Sequence, residues 1–86
     1  MPRFLTCHTM ACMTRRDVQQ LATALSHDGE ISFLRFLANM TEGKLFGEFE
    51  APGREALLAW MERKKIHHDW LARVDIEATK DGVRDL

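Results

Sequence analysis

Ile31-Ser32-Phe33-Leu34-Arg35-Phe36-Leu37-Ala38-Asn39-Met40, followed by Thr41-Glu42-Gly43 and then Lys44-Leu45-Phe46-Gly47-Glu48-Phe49-Glu50, forms the middle of the chain. The outer two runs are rich in aromatic and branched apolar residues, which suit extended backbone, and Thr41-Glu42-Gly43 is a tight-turn signal. Two strands joined so closely pair as an antiparallel hairpin. In the returning strand Leu45 and Phe49 share one face and Phe46 takes the other. In the leading strand simple alternation gives Ile31, Phe33 and Leu37 to one side and Leu34, Phe36, Ala38 and Met40 to the other. Both sides are then apolar, interrupted by Arg35 and Asn39, whereas a strand with one wet face alternates cleanly.

Upstream, Arg3-Phe4-Leu5-Thr6-Cys7-His8-Thr9 reads as a strand and Met10 to Met13 as a loop. Thr14 and Asp17 are spaced as a capping box, and Val18, Leu21, Ala22 and Leu25 form one apolar helical stripe. Ser26-His27-Asp28-Gly29 closes that helix, with Gly29 suited to a left-handed turn and His27 to the negative helix end. Downstream, Pro52 suits the first turn of a second helix, whose buried stripe is Leu57, Trp60 and Met61 and whose end falls near Lys64-Lys65. Trp70 to Glu77 reads as the last strand. The order is strand, helix, strand, strand, helix, strand. It predicts an α+β, ferredoxin-like βαββαβ fold, a four-stranded antiparallel sheet with two helices on one face. A single domain over 1–78 and a polar tail over 79–86 are expected.

The other sheet face then meets solvent or a partner. A chain of 86 residues buries only about 60% of its unfolded surface by itself. A homodimer through the open sheet face, of the dimeric α/β-barrel type, is therefore the expected assembly. A net charge of −1 and scattered basic residues exclude a phosphate-gripping surface, so no nucleic-acid partner is expected. No apolar run approaches a membrane span, and Met1-Pro2-Arg3 leads into no secretory core. A cytoplasmic setting follows, with Cys7 and Cys12 reduced.

Cys7-His8-Thr9-Met10-Ala11-Cys12-Met13 gathers thiol, imidazole and thioether donors where a strand gives way to a helix. Such donors suit a late transition metal. The spacing is Cys-x4-Cys, not Cys-x-x-Cys, and alternation sends Cys7 and His8 to opposite faces; buried packing is the competing reading. His67-His68-Asp69 in the last connector is either a ligand group or a polar turn. Glu48 and Glu50 share a strand face. Arg35, on an apolar strand, needs a carboxylate such as Glu48 or an anionic ligand. Neither a phosphate loop nor a nucleophile-base-acid pattern is present, and no catalytic residue is assigned.

Pro2-Arg3-Phe4-Leu5, the helix start Thr14-Arg15-Arg16-Asp17-Val18, and Lys44-Leu45-Phe46-Gly47-Glu48-Phe49-Glu50-Ala51-Pro52 resemble a family of small bacterial proteins of largely unknown function. The likeness runs over about residues 2–77. One branch of that family is described as nickel-binding, with a dimeric ferredoxin-like fold, so the resemblance implies a homodimer and a bound divalent metal. Members often carry an acidic residue at the position of Cys7, a His-Ser-Tyr stretch at Arg35-Phe36-Leu37 and a cysteine at Gly47. With those groups replaced, a metal here is expected on Cys7, His8 and Cys12. Met10-Ala11-Cys12 also resembles half of the Met-x-Cys-x-x-Cys loop of copper-chaperone domains, with Arg15 in place of the second cysteine.

The leading functional expectation is thus a small homodimer binding nickel, copper or zinc. An alternative is a cofactor-independent monooxygenase- or isomerase-like enzyme, with Asn39, His8, Arg35 and Trp60 or Trp70 lining a pocket between sheet and helices. A third is a ligand-sensing or dimerisation module without catalysis.

Overall fold

The structure is a computed structural model and describes residues 1–86. Strand β1 (Arg3–Thr9) leads to α1 (Arg15–Ser26), and β2 (Ser32–Asn39) turns into β3 (Lys44–Glu50). After α2 (Arg54–Arg63) come β4 (Trp70–Val74) and a hairpin of β5 (Ile76–Thr79) and β6 (Gly82–Asp85). The four longer strands form one antiparallel sheet in the order β2-β3-β1-β4, and the hairpin is a second, two-stranded sheet. This is an α+β fold. No helix is long and apolar enough to cross a membrane.

The capping box at α1 is present: Thr14 accepts from the Asp17 amide at 3.1 Å and the Asp17 carboxylate accepts from the Thr14 amide at 2.9 Å. Those two bonds satisfy amides that the first helical turn leaves free. At the other end His27, not Gly29, is the C-cap. Pro52 lies outside α2, because Gly53 is its N-cap and Arg54 its first residue.

Both helices cover the same side of the sheet. Phe4 from β1, Phe49 from β3 and Leu71 from β4 pack with Leu25, Leu57, Trp60 and Met61 from the helices, and all belong to one buried cluster. Trp60 is core, as its helical spacing predicts, with 0% exposure. The aromatic rings of Phe33, Phe36 and Phe49 meet with centroids 4.7 to 6.3 Å apart, and Phe49 meets Trp60 edge-on at 5.6 Å. Gly47 makes room for this cluster. A Cβ there would lie 2.7 Å from the Phe49 ring and 2.8 Å from the Thr6 hydroxyl.

The expected face assignment of β2 changes within the strand. Its register slips between Phe33 and Arg35, a β-bulge that adds one residue opposite β3. The alternation reverses there, so Phe33 and Phe36 both face the helices, while Arg35 and Leu37 lie on the open side with their partners Glu48 and Phe46. The apolar residues read as two competing faces are largely one face, read in two phases. Arg35 is correspondingly 60% exposed, and it is ion-paired to Glu48 at 2.7 Å.

The C-terminal expectation also needs correction. The extended run from Trp70 to Glu77 breaks at Asp75, and the residues expected as a polar tail return as β6. Gly82, at φ 134°, makes the turn that lets Thr79 and Gly82 pair. The Leu86 amide donates to the Asp75 carbonyl at 2.9 Å and closes the hairpin.

Candidate functional site

Neighbouring residues of β1 serve opposite sides of the sheet. Cys7 stands between Phe46 on β3 and Trp70 on β4, whose ring centroids are 6.4 Å apart on the open side. They leave it 5% exposed. Its thiol donates to Asp69 Oδ2 at 3.9 Å. The same carboxylate accepts from Thr9 at 2.5 Å and from Lys44 at 3.4 Å. The Thr9 bond is the main cause holding Asp69 below the usual carboxylate range, with Lys44 adding to it.

His8 faces the helices and is 1% exposed. Its Nδ1 lies 2.6 Å from the His67 carbonyl oxygen and its Nε2 lies 2.8 Å from the Thr6 hydroxyl. A carbonyl oxygen can only accept, so Nδ1 carries a proton, while the single Thr6 hydroxyl proton is shared between His8 Nε2 and the Gly47 carbonyl at 3.4 Å. Burial pulls the imidazole below its ordinary value, and the charge of His68 acts the same way. The bond to His67 and the Asp69 carboxylate oppose that shift without reversing it. His8 is therefore neutral at pH 7.

Cys12 belongs to neither place. It is exposed in the loop after β1, with φ at 55°, and lines a cleft of about 310 Å³ with Met10, Met13, Met40 and Glu42. The cleft is held together at Gly43, whose carbonyl accepts from the Met10 amide at 2.8 Å. Cys7, His8 and Cys12 thus lie in three separate environments, and no three His, Cys, Asp or Glu side chains are grouped to hold a metal ion. The three residues as folded do not fit one ion.

Arg35, Asn39 and Trp60 do not meet either. Arg35 is on the open side with Glu48, the Asn39 side chain accepts from the Glu42 amide in the β2–β3 turn, and Trp60 is sealed in the core. The Trp60 indole N–H donates to Asp28 Oδ2 at 2.9 Å, and Lys64 pairs with that carboxylate at 2.9 Å. The Trp60 bond, then the Lys64 bond, holds Asp28 far below the usual range.

A cavity of about 240 Å³ opens between the sheet and its covering elements. His8 and Thr9 of β1, Leu21 of α1, Phe36 of β2, and Leu45 and Phe49 of β3 form its walls and floor. Met10 and the segment that follows α2, Lys64, Lys65, Ile66 and His67, complete it. No carboxylate lines it. Two lysines and two histidines meet a mainly apolar interior, a combination suited to holding a small organic molecule by its apolar body.

Sequence reasoning placed a pocket between sheet and helices, and of the residues it chose only His8 lines the one found. His8 was legible, since strand alternation puts it beside Phe4 and Thr6. The lysine segment was not, because nothing in Lys64-Lys65-Ile66-His67 announces that Lys65 takes φ 58° and turns the chain back over the sheet.

The fold and cavity define a class: a small α+β protein with a four-stranded sheet, two helices on one side and an apolar chamber between them. No family model matches the chain, and no curated protein matches it. Its fold is similar to that in the crystal structure of SCO4226 from Streptomyces coelicolor A3(2), with a TM-score of 0.72 and 24% sequence identity. That similarity covers 88% of this chain and 99% of the other. At this identity the likeness is one of fold alone.

Proposed function

We propose that the protein is a homodimer of the ferredoxin-like, dimeric α/β-barrel type that binds a small organic molecule between its sheet and helices without altering it. The observation that carries the reading is the cavity built around His8. Both imidazole nitrogens are engaged within the protein, so His8 offers the chamber a neutral ring rather than a free base. This favours a binding or sensing role over a monooxygenase- or isomerase-like one.

The sheet order, with β1 and β3 inside, supports the ferredoxin-like assignment. Pairing through the open face is supported by its apolar residues: Leu37 is 51% and Trp70 44% exposed, close to the half-buried Phe46. Such surface is the kind that a second copy covers. A cytoplasmic setting fits the two free thiols.

The test uses 2-naphthoate and its neutral analogue 2-naphthamide in calorimetric titrations against the wild type and Leu21→Phe, which narrows the chamber. Saturable binding of one ligand per chain, lost in Leu21→Phe while its near-ultraviolet dichroism stays native, is expected. Absence of binding, or binding indifferent to the substitution, overturns the reading.

A second reading keeps the metal but moves it. Cys12, Met10, Met13 and Met40 line one cleft, and a thiolate among thioethers favours copper(I) over nickel or zinc. Anaerobic copper(I) titration in competition with a chelator tests it: one equivalent bound by the wild type and lost in Cys12→Ser supports the cleft. Retention in that variant sinks it.

A further inference from the structure

We infer that the molecule held in the chamber is an apolar monocarboxylate whose carboxylate is met by Lys65. This deepens the binding reading above and rests on it.

Three observations point to that class. The lining contains cationic side chains and no acidic one, so an anion entering it meets no like charge. Of the two lysines, Lys64 is committed to Asp28 at 2.9 Å, whereas Lys65 makes no ion pair. The backbone amides nearby are also occupied. Lys64, Lys65 and Ile66 donate to the Trp60, Glu62 and Met61 carbonyls at 3.0, 3.1 and 2.9 Å. Lys65 is thus the one lining lysine left unpaired, and a single ammonium matches a single carboxylate better than a doubly charged phosphate.

The position of Lys65 adds to the argument. It stands just after the C-cap of α2 with φ 58°, where glycine is the usual residue. A lysine held in that conformation costs about 1 kcal/mol relative to the unstrained backbone, and such outliers gather at ligand clamps. The conformation brings Lys65 to the chamber's lining. Beyond it, Leu21, Phe36, Leu45 and Phe49 receive an apolar body. The volume of about 240 Å³ lies below the roughly 300–1,000 Å³ of sites for drug-sized ligands, so the body is one or two rings or a short branched chain.

The acid and amide of naphthalene have nearly the same shape and differ in charge, which separates this inference from the one beneath it. We expect 2-naphthoate to bind at least about tenfold more tightly than 2-naphthamide, as a charge-assisted contact would give. Lys65→Gln should remove that preference by weakening only the acid, and Lys65→Glu should reverse it. Lys80→Gln, on the distant hairpin turn, should change neither. Equal affinity for acid and amide, or a preference that survives Lys65→Gln, overturns the carboxylate assignment and leaves the chamber standing. Failure of both ligands to bind removes the chamber reading and this inference together.

Discussion

The Trp60 indole N–H donates to the Asp28 carboxylate at 2.9 Å, joining the middle of α2 to the loop that closes α1. One bond thus ties the second helix to the end of the first. Lys64 reaches the same carboxylate from the end of α2, and Arg63 pairs with Glu30 beside it. The lower wall of the chamber hangs from this junction, since Lys64 and Lys65 continue directly into it.

Trp60→Phe keeps an aromatic ring in the core and removes the donor. Its thermal midpoint should fall by about 4–8 °C, the effect of losing roughly one hydrogen bond's worth of stability from a domain of this size. Asp28→Asn should give a smaller loss, because an amide oxygen still accepts from Trp60. Differential scanning fluorimetry at pH 7 compares the two. An unchanged midpoint in Trp60→Phe would remove the bond from the account of stability.

The pH dependence has contributions of the same sign in two windows that can be separated. His8 has a folded value below the ordinary 6.5, so the unfolded chain takes up its proton first as pH falls. Stability should therefore decline from pH 7 toward pH 5. His8→Leu should flatten that window in denaturant titrations. Asp28 and Asp69 have depressed values, so their contribution is present at neutral pH and is lost only on further acidification through the folded-state values. A wild-type curve flat between pH 7 and 5 would show that His8 keeps its proton exchange unperturbed.

Gly47→Cys and Gly47→Ala both place a Cβ within 2.8 Å of the Thr6 hydroxyl and against the Phe49 ring. Both should destabilise by about 1–3 kcal/mol, the usual cost of overpacking. The readout is urea denaturation, with near-ultraviolet dichroism reporting the Phe36 and Phe49 rings. Neutral behaviour would mean that the aromatic cluster can open.

Leu37→Glu and Trp70→Glu put charge on half-exposed open-face positions that make little of the internal core. Sedimentation velocity should show a wild-type dimer and monomeric variants with native helix content. A wild-type monomer at micromolar concentration would end the dimer proposal.

The legible parts of this fold were those in which neighbours along the chain decide the outcome. Thr14 and Asp17 announce their own helix start, and the Leu57, Trp60 and Met61 stripe announces a buried face. Arg35 announced its need for Glu48, and the bond is there at 2.7 Å. The bulge in β2 was illegible, because an inserted residue leaves both halves of the strand regular and only changes their phase. The hairpin at the C-terminus did carry a signal, Asp81-Gly82 between Ile76-Glu77-Ala78 and Val83-Arg84, but its high polarity concealed it. The soft-donor run is divided for a spatial reason. Successive strand residues diverge, so sulfur and nitrogen close in sequence ended on opposite surfaces.

The unequal access of the two cysteines has a practical side. Cys7 lies behind the Phe46 and Trp70 rings, while Cys12 stands exposed on the loop after β1. The native chain therefore carries one ready attachment point for a spin label or fluorophore and needs no engineered thiol. The second thiol becomes a built-in clock: the rate at which it reacts records how often the cover over the sheet lifts.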